Sequence, residues 1–205
     1  GDRTMNAMRF SPAALHGVIQ APPSKSDAHR KLIAAALCDT PCRIEGVGMC
    51  DDVRATCACL EALGAKLSME GSETLCNINV TPIAADPLRK PALFCGQSGS
   101  TLRFLLPVTA ALYARASLSA QQQLNARPLA ALIKTMAENG VQSDASHTPL
   151  HLLGRLKSGL YTLPGNLSSQ YISGLLFALP LLHGDSRTIA PYSRLTGRDR
   201  QDVSR

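Results

Sequence analysis

Three stretches of the chain, "PPSKSDAHRKLIAAAL", "CGQSGSTLRFLLPVTAAL" and "PGNLSSQYISGLLFALPLL", share one order of residues. Each has Pro or Gly, then two or three small hydroxyl side chains, then a long apolar run. They recur about seventy residues apart, a spacing that belongs to repeated supersecondary units. A second kind of segment falls between them. "DDVRATCACLEALGAKLSM" and "ARPLAALIKTMAENGVQSD" place apolar residues at helical spacing, with Gly64 and Gly140 as helix C-caps. Strand candidates precede these segments ("CRIEGV", "ASLSA") and follow them ("TLCNINV", "PLHLLGR"). The unit therefore reads strand, helix, strand, helix, strand, strand, and it appears two and a half times. The expected fold is α/β (α+β), a lobe of repeated βαβαββ units packed around a pseudo-threefold axis. The third copy starts near Gly159 and reaches only its first helix and the strand after it, which predicts a last sheet short of strands and reads as a fragment. Residues 1–19 lie outside the repeat. "GDRT" reads as a cloning remnant and residues 5–19 as an edge strand belonging elsewhere, so the repeat lobe is expected over 20–205.

Composition narrows the function classes. Hydrophobic residues make up 45% and charged residues 18% of the 205, the balance of a folded chain with a core and not of a disordered one. The net charge of +6 fits nucleic acid or small anionic substrates, but the basic residues are scattered rather than in runs, which favours small anions. The absence of Trp and the scarcity of aromatics remove the stacking platform that single-stranded nucleic acid needs. Arg194, Arg198, Arg200 and Arg205 cluster near the end, interleaved with Asp199 and Asp202, as on a solvated surface. Seven cysteines, with no C-x-x-C pair, read as reduced and mostly buried thiols of a cytoplasmic protein, without metal-ligand spacing. The longest apolar run, "LLFALPLL", is broken by Pro180, and neither a membrane span nor a signal peptide is expected.

The hydroxyl-rich helix starts carry the chemistry. A helix's first turn has free N–H groups and a partial positive charge, so it attracts anions. Ser24, Lys25 and Ser26 occupy one such turn, Ser98, Gly99, Ser100 and Thr101 the second, and Ser168, Ser169 and Gln170 the third. Packed around a common axis, they would surround phosphate or carboxylate groups with hydroxyls and amides. Lys25, Arg30 and Arg103 would add full charges, and Gly99 would let a ligand approach the backbone. Plain N-capping, at about 1 kcal/mol apiece, is the competing explanation of each cluster, and three clusters at equivalent repeat positions, two with a nearby Arg, favour anion binding over it. Arg127 precedes a helix expected to start at Pro128, and a surface position explains it equally well. "GQSGSTLR" lacks the Gly-Lys-[Ser/Thr] ending of a P-loop, which excludes nucleotide hydrolysis on that motif. None of the five histidines has ligand spacing; His29 lies near the proposed site, where a surface or packing role is expected.

At "PPSKSDAHR", "GQSGSTLR", "ARPLAAL" and "LSSQYISGLL", in this order, the chain resembles the 5-enolpyruvylshikimate-3-phosphate synthase family from about residue 20 to its end. The UDP-N-acetylglucosamine enolpyruvyl transferases share the architecture but lack the P-S-K-S-x-x-x-R start and the S-S-Q helix. A non-catalytic anion-binding repeat domain is the alternative from another class. The resemblance implies an enolpyruvyl transferase fold of two lobes, each built of three βαβαββ units, with the active site between them. The chain corresponds to one lobe, and "DVSR" stands where a Ser-[Arg/Lys]-Pro-Tyr motif begins. The implied reaction moves the carboxyvinyl group of phosphoenolpyruvate to the 5-hydroxyl of shikimate-3-phosphate, and no cofactor or metal is implied.

By the same resemblance, Lys25, Ser26, Arg30, Ser168, Ser169, Gln170 and Ser204 are expected to hold shikimate-3-phosphate. Lys25, Gly99, Arg127 and Gln170 are expected at phosphoenolpyruvate, with Lys25 acting electrostatically. Gln97, Ser100 and Arg103 are further candidates; Gln97 stands where the family has Asn and Ser100 where it has Thr, which bears on pocket shape and on glyphosate binding near Gly99. The acid and base of the family lie in the other lobe, so this chain alone is expected to be inactive. Its expected partners are the two small substrates and that second lobe, in a monomer, with neither nucleic acid nor membrane.

Overall fold

The computed structural model describes residues 12, 14, 16–84, 86, 88–124, 129–164 and 168–190. Helices α1 (Lys25–Ala36), α2 (Asp51–Leu63), α3 (Gly99–Leu112), α4 (Ala130–Glu138) and α5 (Ser169–Ala178) alternate with strands in the expected order. Strands β1 (Cys42–Gly48), β2 (Lys66–Gly71) and β3 (Leu75–Thr81) form one antiparallel sheet in the order β1-β3-β2. Strands β4 (Ala92–Phe94), β5 (Arg115–Ser119), β6 (Gln142–Ser143) and β7 (Leu150–Leu153) form a second, in the order β4-β5-β7-β6. Strands β8 (Leu160–Thr162) and β9 (Arg187–Ile189) pair in a third.

The pairings repeat as the sequence does. β4 and β5 flank α3 and pair in parallel, and β8 and β9 flank α5 and do the same. β5 pairs antiparallel with β7 and β7 with β6, the arrangement of β1, β3 and β2. The short third sheet therefore holds the two strands that a half-unit supplies. The chain is an α/β lobe of repeated βαβαββ units. Residues 12, 14 and 16–19, the described part of the leading segment, form no strand.

The segment "DDVRATCACLEALGAKLSM" is only partly helical. Gly64 takes φ 109°, which an L side chain rarely adopts, and turns the chain so that "KLSM" enters β2. Helix α4 starts at Ala130, later than Pro128, which lies outside the described residues.

Helix α3 is buried nearly all round, as its apolar composition requires. Leu102, Phe104, Leu105, Leu106 and Val108 lie in one core with Leu32, Ile33, Val53, Leu60, Ile78 and Leu118. Arg155 donates to the carbonyls of Ala111 (3.2 Å) and Leu112 (2.7 Å), satisfying groups at the end of α3. The second and third units are joined by Asn139, whose Nδ2 donates to the carbonyls of Thr135 (2.8 Å) and Leu160 (3.0 Å). Among the described residues no helix is long and apolar enough to cross a membrane. Cys57, Cys59, Cys76 and Cys95 are buried, whereas Cys38 and Cys50 are exposed and Cys42 is half-buried; all seven are free thiols. Burial pushes the Cys57 thiol up to about 12.

Candidate anion-binding site

One hydroxyl caps each helix start. Ser24 Oγ accepts from the Asp27 amide at 3.3 Å, Ser98 Oγ from Thr101 at 3.2 Å, and Ser168 Oγ from Gln170 at 3.3 Å. Capping uses Ser24, Ser98 and Ser168 as acceptors, which leaves their hydroxyl protons to donate elsewhere, and it does not involve the side chains of Ser26, Ser100 and Ser169.

Side-chain bonds bring the three helices together near these starts. Gln170 on α5 donates from Nε2 to Ser100 Oγ on α3 at 2.8 Å, and its Oε1 accepts from Arg103 Nη1 at 2.7 Å. Arg30 on α1 donates from Nη1 to Ser173 Oγ on α5 at 2.9 Å and lies over the Phe104 ring of α3, 5.0 Å from its centroid. Arg103 lies over the Tyr171 ring at 5.6 Å. Both guanidiniums meet neutral partners here, and among the described residues no carboxylate forms an ion pair with either.

The close approach of α3 and α5 depends on two residues. Pro107 has no N–H to offer the Arg103 carbonyl four residues back. Gly174 packs against that same carbonyl: a Cβ on Gly174 would stand 2.4 Å from Arg103 O and 3.3 Å from Phe104 Cα. Nothing larger than Gly fits there, and the contact sets Gln170 beside Ser100 and Arg103.

Lys25 extends from the first turn of α1 to Asp52 in the first turn of α2, with Nζ to Oδ2 at 2.6 Å. That hydrogen bond, and then the charge of Asp52, hold the Lys25 ammonium above its ordinary range. The Lys25 side chain is 54% exposed and Asp52 28%, so water screens the pair, and such exposed pairs are worth about 1 kcal/mol or less. An arriving dianion competes for Lys25 at small cost. Ser26 is exposed beside it, and Gly99 is buried in the first turn of α3. Gln97 Nε2 donates to Gln121 Oε1 at 2.6 Å, off to one side. Arg127 and Ser204 lie outside the described residues.

Asp52, Ser173 and Gly174 were not expected as site-shaping residues. Asp51 and Asp52 in the first turn of α2 suit its dipole, and nothing in the sequence pairs Asp52 with Lys25. His29 is fully buried, as the packing expectation holds, but it is also hydrogen-bonded: its Nδ1 lies 2.7 Å from Thr56 Oγ1. Among the described residues no group of three or more His, Cys, Asp or Glu is placed to hold a metal ion. The arrangement links α1, α3 and α5 near their N-termini through two guanidiniums and several hydroxyls, with the exposed Lys25 ammonium at the start of α1, chemistry suited to phosphate and carboxylate ligands.

The sequence profile of EPSP synthase (3-phosphoshikimate 1-carboxyvinyltransferase) matches residues 11–196. The 3-phosphoshikimate 1-carboxyvinyltransferase of Clostridium acetobutylicum is 37% identical over 185 residues, covering 89% of this chain and 43% of that protein. The namesake from Clostridium kluyveri is 37% identical over 192 residues, covering 89% and 42%. The chain spans less than half the length of these curated relatives. Among solved structures, an EPSP synthase from Acinetobacter baumannii superposes with a TM-score of 0.72 at 24% identity, over 90% of this chain and 42% of that one. The enolpyruvyl transferase NikO from Streptomyces tendae superposes at 0.50 and 17% identity, over 87% and 40%. At these identities the two structures speak to the fold.

Proposed function

Since the chain belongs to the EPSP synthase (3-phosphoshikimate 1-carboxyvinyltransferase) family, we propose that its anion-binding face is one wall of a carboxyvinyl transferase active site. The observation that carries this reading is the meeting of three helix starts through Gln170, Ser100, Arg103 and Arg30. In this reading Lys25, Ser26, Arg30, Ser168, Ser169, Gln170 and Ser204 hold shikimate-3-phosphate. Lys25, Gly99, Arg127 and Gln170 hold phosphoenolpyruvate, with Gln97, Ser100 and Arg103 shaping its pocket.

The 5-hydroxyl oxygen of shikimate-3-phosphate bonds to C2 of phosphoenolpyruvate while a proton reaches C3. The tetrahedral adduct then loses a proton from C3 and expels phosphate. The chain's own residues contribute proximity, by holding two anions side by side, and stabilisation of charge by Lys25 and the guanidiniums. The acid and base come from a second lobe, the remainder of a protein about twice this length. Val18 is 100% and Ile19 91% exposed, which supports a leading segment whose apolar side chains pack against that lobe. The complete protein works as a monomer in the cytoplasm.

The test is phosphate release by the complete protein given both substrates. Steady release that Lys25→Ala lowers by two or more orders of magnitude is expected, with no turnover by the 205-residue chain alone. Binding of shikimate-3-phosphate without phosphate release by the complete protein would leave a non-catalytic anion-binding domain.

A further inference from the structure

We propose that His29, Thr56 and Thr101 form a buried hydrogen-bond relay that positions the Ser98–Ser100 turn, and through it the phosphoenolpyruvate side of the site. The functional half of this inference rests on the reading above. The relay runs through three helices: His29 Nδ1 to Thr56 Oγ1 at 2.7 Å, Thr56 Oγ1 to Thr101 Oγ1 at 2.6 Å, and Thr101 Oγ1 to Ser98 Oγ at 2.7 Å. All four side chains are 0% exposed. Apolar side chains of similar volume would fill this space without the cost of burying four polar groups, so packing alone does not explain their choice.

The proton order follows from counting donors. Thr101 has one hydroxyl proton, which it gives to Ser98 Oγ or, at 3.4 Å, to the Asp52 carbonyl. It must therefore accept from Thr56, and Thr56, its proton spent, must accept from His29. His29 is thus the Nδ1–H tautomer, and its buried Nε2, which has no hydrogen-bond partner among the described residues, carries a lone pair. The ring packs edge-on against Phe104 at 6.5 Å and 74°. Burial lowers its pKa below the ordinary value, against the opposing pull of Asp52 and with the help of the Lys25 charge.

The relay ends on the residue that caps α3. Ser98 Oγ accepts both the Thr101 amide and the Thr101 hydroxyl, which sets the turn carrying Gly99 and Ser100. His29 and Thr56 touch neither ligand and act as positioning residues. Without the Thr56 hydroxyl, Thr101 loses the donor that orients its own hydroxyl between Ser98 and the Asp52 carbonyl, and the Ser98 cap is less firmly set.

Two measurements test this. Nitrogen-15 NMR of the 205-residue chain reads the His29 tautomer directly. A protonated Nδ1 and a bare Nε2 at neutral pH are expected, and the opposite tautomer or an imidazolium overturns the relay whatever the kinetics. In the complete protein, Thr56→Val should raise KM for phosphoenolpyruvate about tenfold and leave KM for shikimate-3-phosphate within about twofold, while Thr56→Ser restores both. Equal changes in both KM values, or a lower melting temperature with neither changed, overturns the positioning role. A wild-type complete protein without turnover refutes the functional reading instead, and the tautomer then decides the relay.

Discussion

Lys25 donates to Asp52 at 2.6 Å, although it stands at a helix start that already favours anions. The carboxylate keeps the ammonium protonated and oriented, yet it also repels any anion that approaches. Water screens the ion pair, so its orienting contribution is small, while the half-buried Asp52 carboxylate is the less screened partner and repels an anion that reaches Lys25. Asp52→Asn should therefore tighten shikimate-3-phosphate binding about two- to fivefold in calorimetry, whereas Lys25→Ala should abolish it; weaker binding by Asp52→Asn would show that orientation dominates. His29 gives a pH prediction of definite sign. Its folded-state pKa lies below the ordinary value of 6.5, mainly through burial, so the unfolded chain binds more protons between the two values. The stability that neutral His29 permits is present above pH 6.5 and is lost as pH falls from there toward the folded value. The melting temperature should drop from pH 7.5 to 5.5, and His29→Asn, which cannot titrate, should flatten the drop.

Among the elements, α3 and α5 depend most on a single position. Gly174 sits 2.4 Å, measured from the Cβ it lacks, from Arg103 O, where the neighbouring atom is backbone and cannot swing away. Gly174→Ala should separate the two helices at a cost of about 1–3 kcal/mol, read from urea denaturation, and should weaken anion binding by displacing Gln170 from Ser100. Unchanged stability would mean that α5 slides without penalty. Tyr113, at the end of α3, donates to the Leu63 carbonyl from a fully buried ring; Tyr113→Phe should cost about 1–2 kcal/mol by leaving that acceptor unpaired. The helices were legible because Pro, Ser and Gly mark their ends, and β1, β3, β5 and β7 because of their alternation or branched residues. β4, β8 and β9 have three residues each, too few for a period, and they exist because β4 pairs in parallel with β5 across α3 and β8 with β9 across α5.

At the scale of the whole molecule, cysteine burial can be counted. A thiol reagent should modify Cys38 and Cys50 rapidly and Cys42 more slowly, and should reach Cys57, Cys59, Cys76 and Cys95 only after denaturation; rapid modification of all seven would contradict the packing described. The repeat of units and the three clusters of hydroxyl and cationic residues were determined by the sequence itself, because capping, helical period and turn chemistry act over a few neighbouring residues. Lys25, Arg30, Ser100, Arg103, Ser168 and Gln170 could all be named that way. Their grouping was decided by the tertiary structure alone. Gln170 reaches Ser100 across 70 positions and Arg30 reaches Ser173 across 143. The partner of Lys25, the relay from His29 and the fit of Gly174 against Arg103 arise from contacts between helices, whose registry depends on the packing of the entire core.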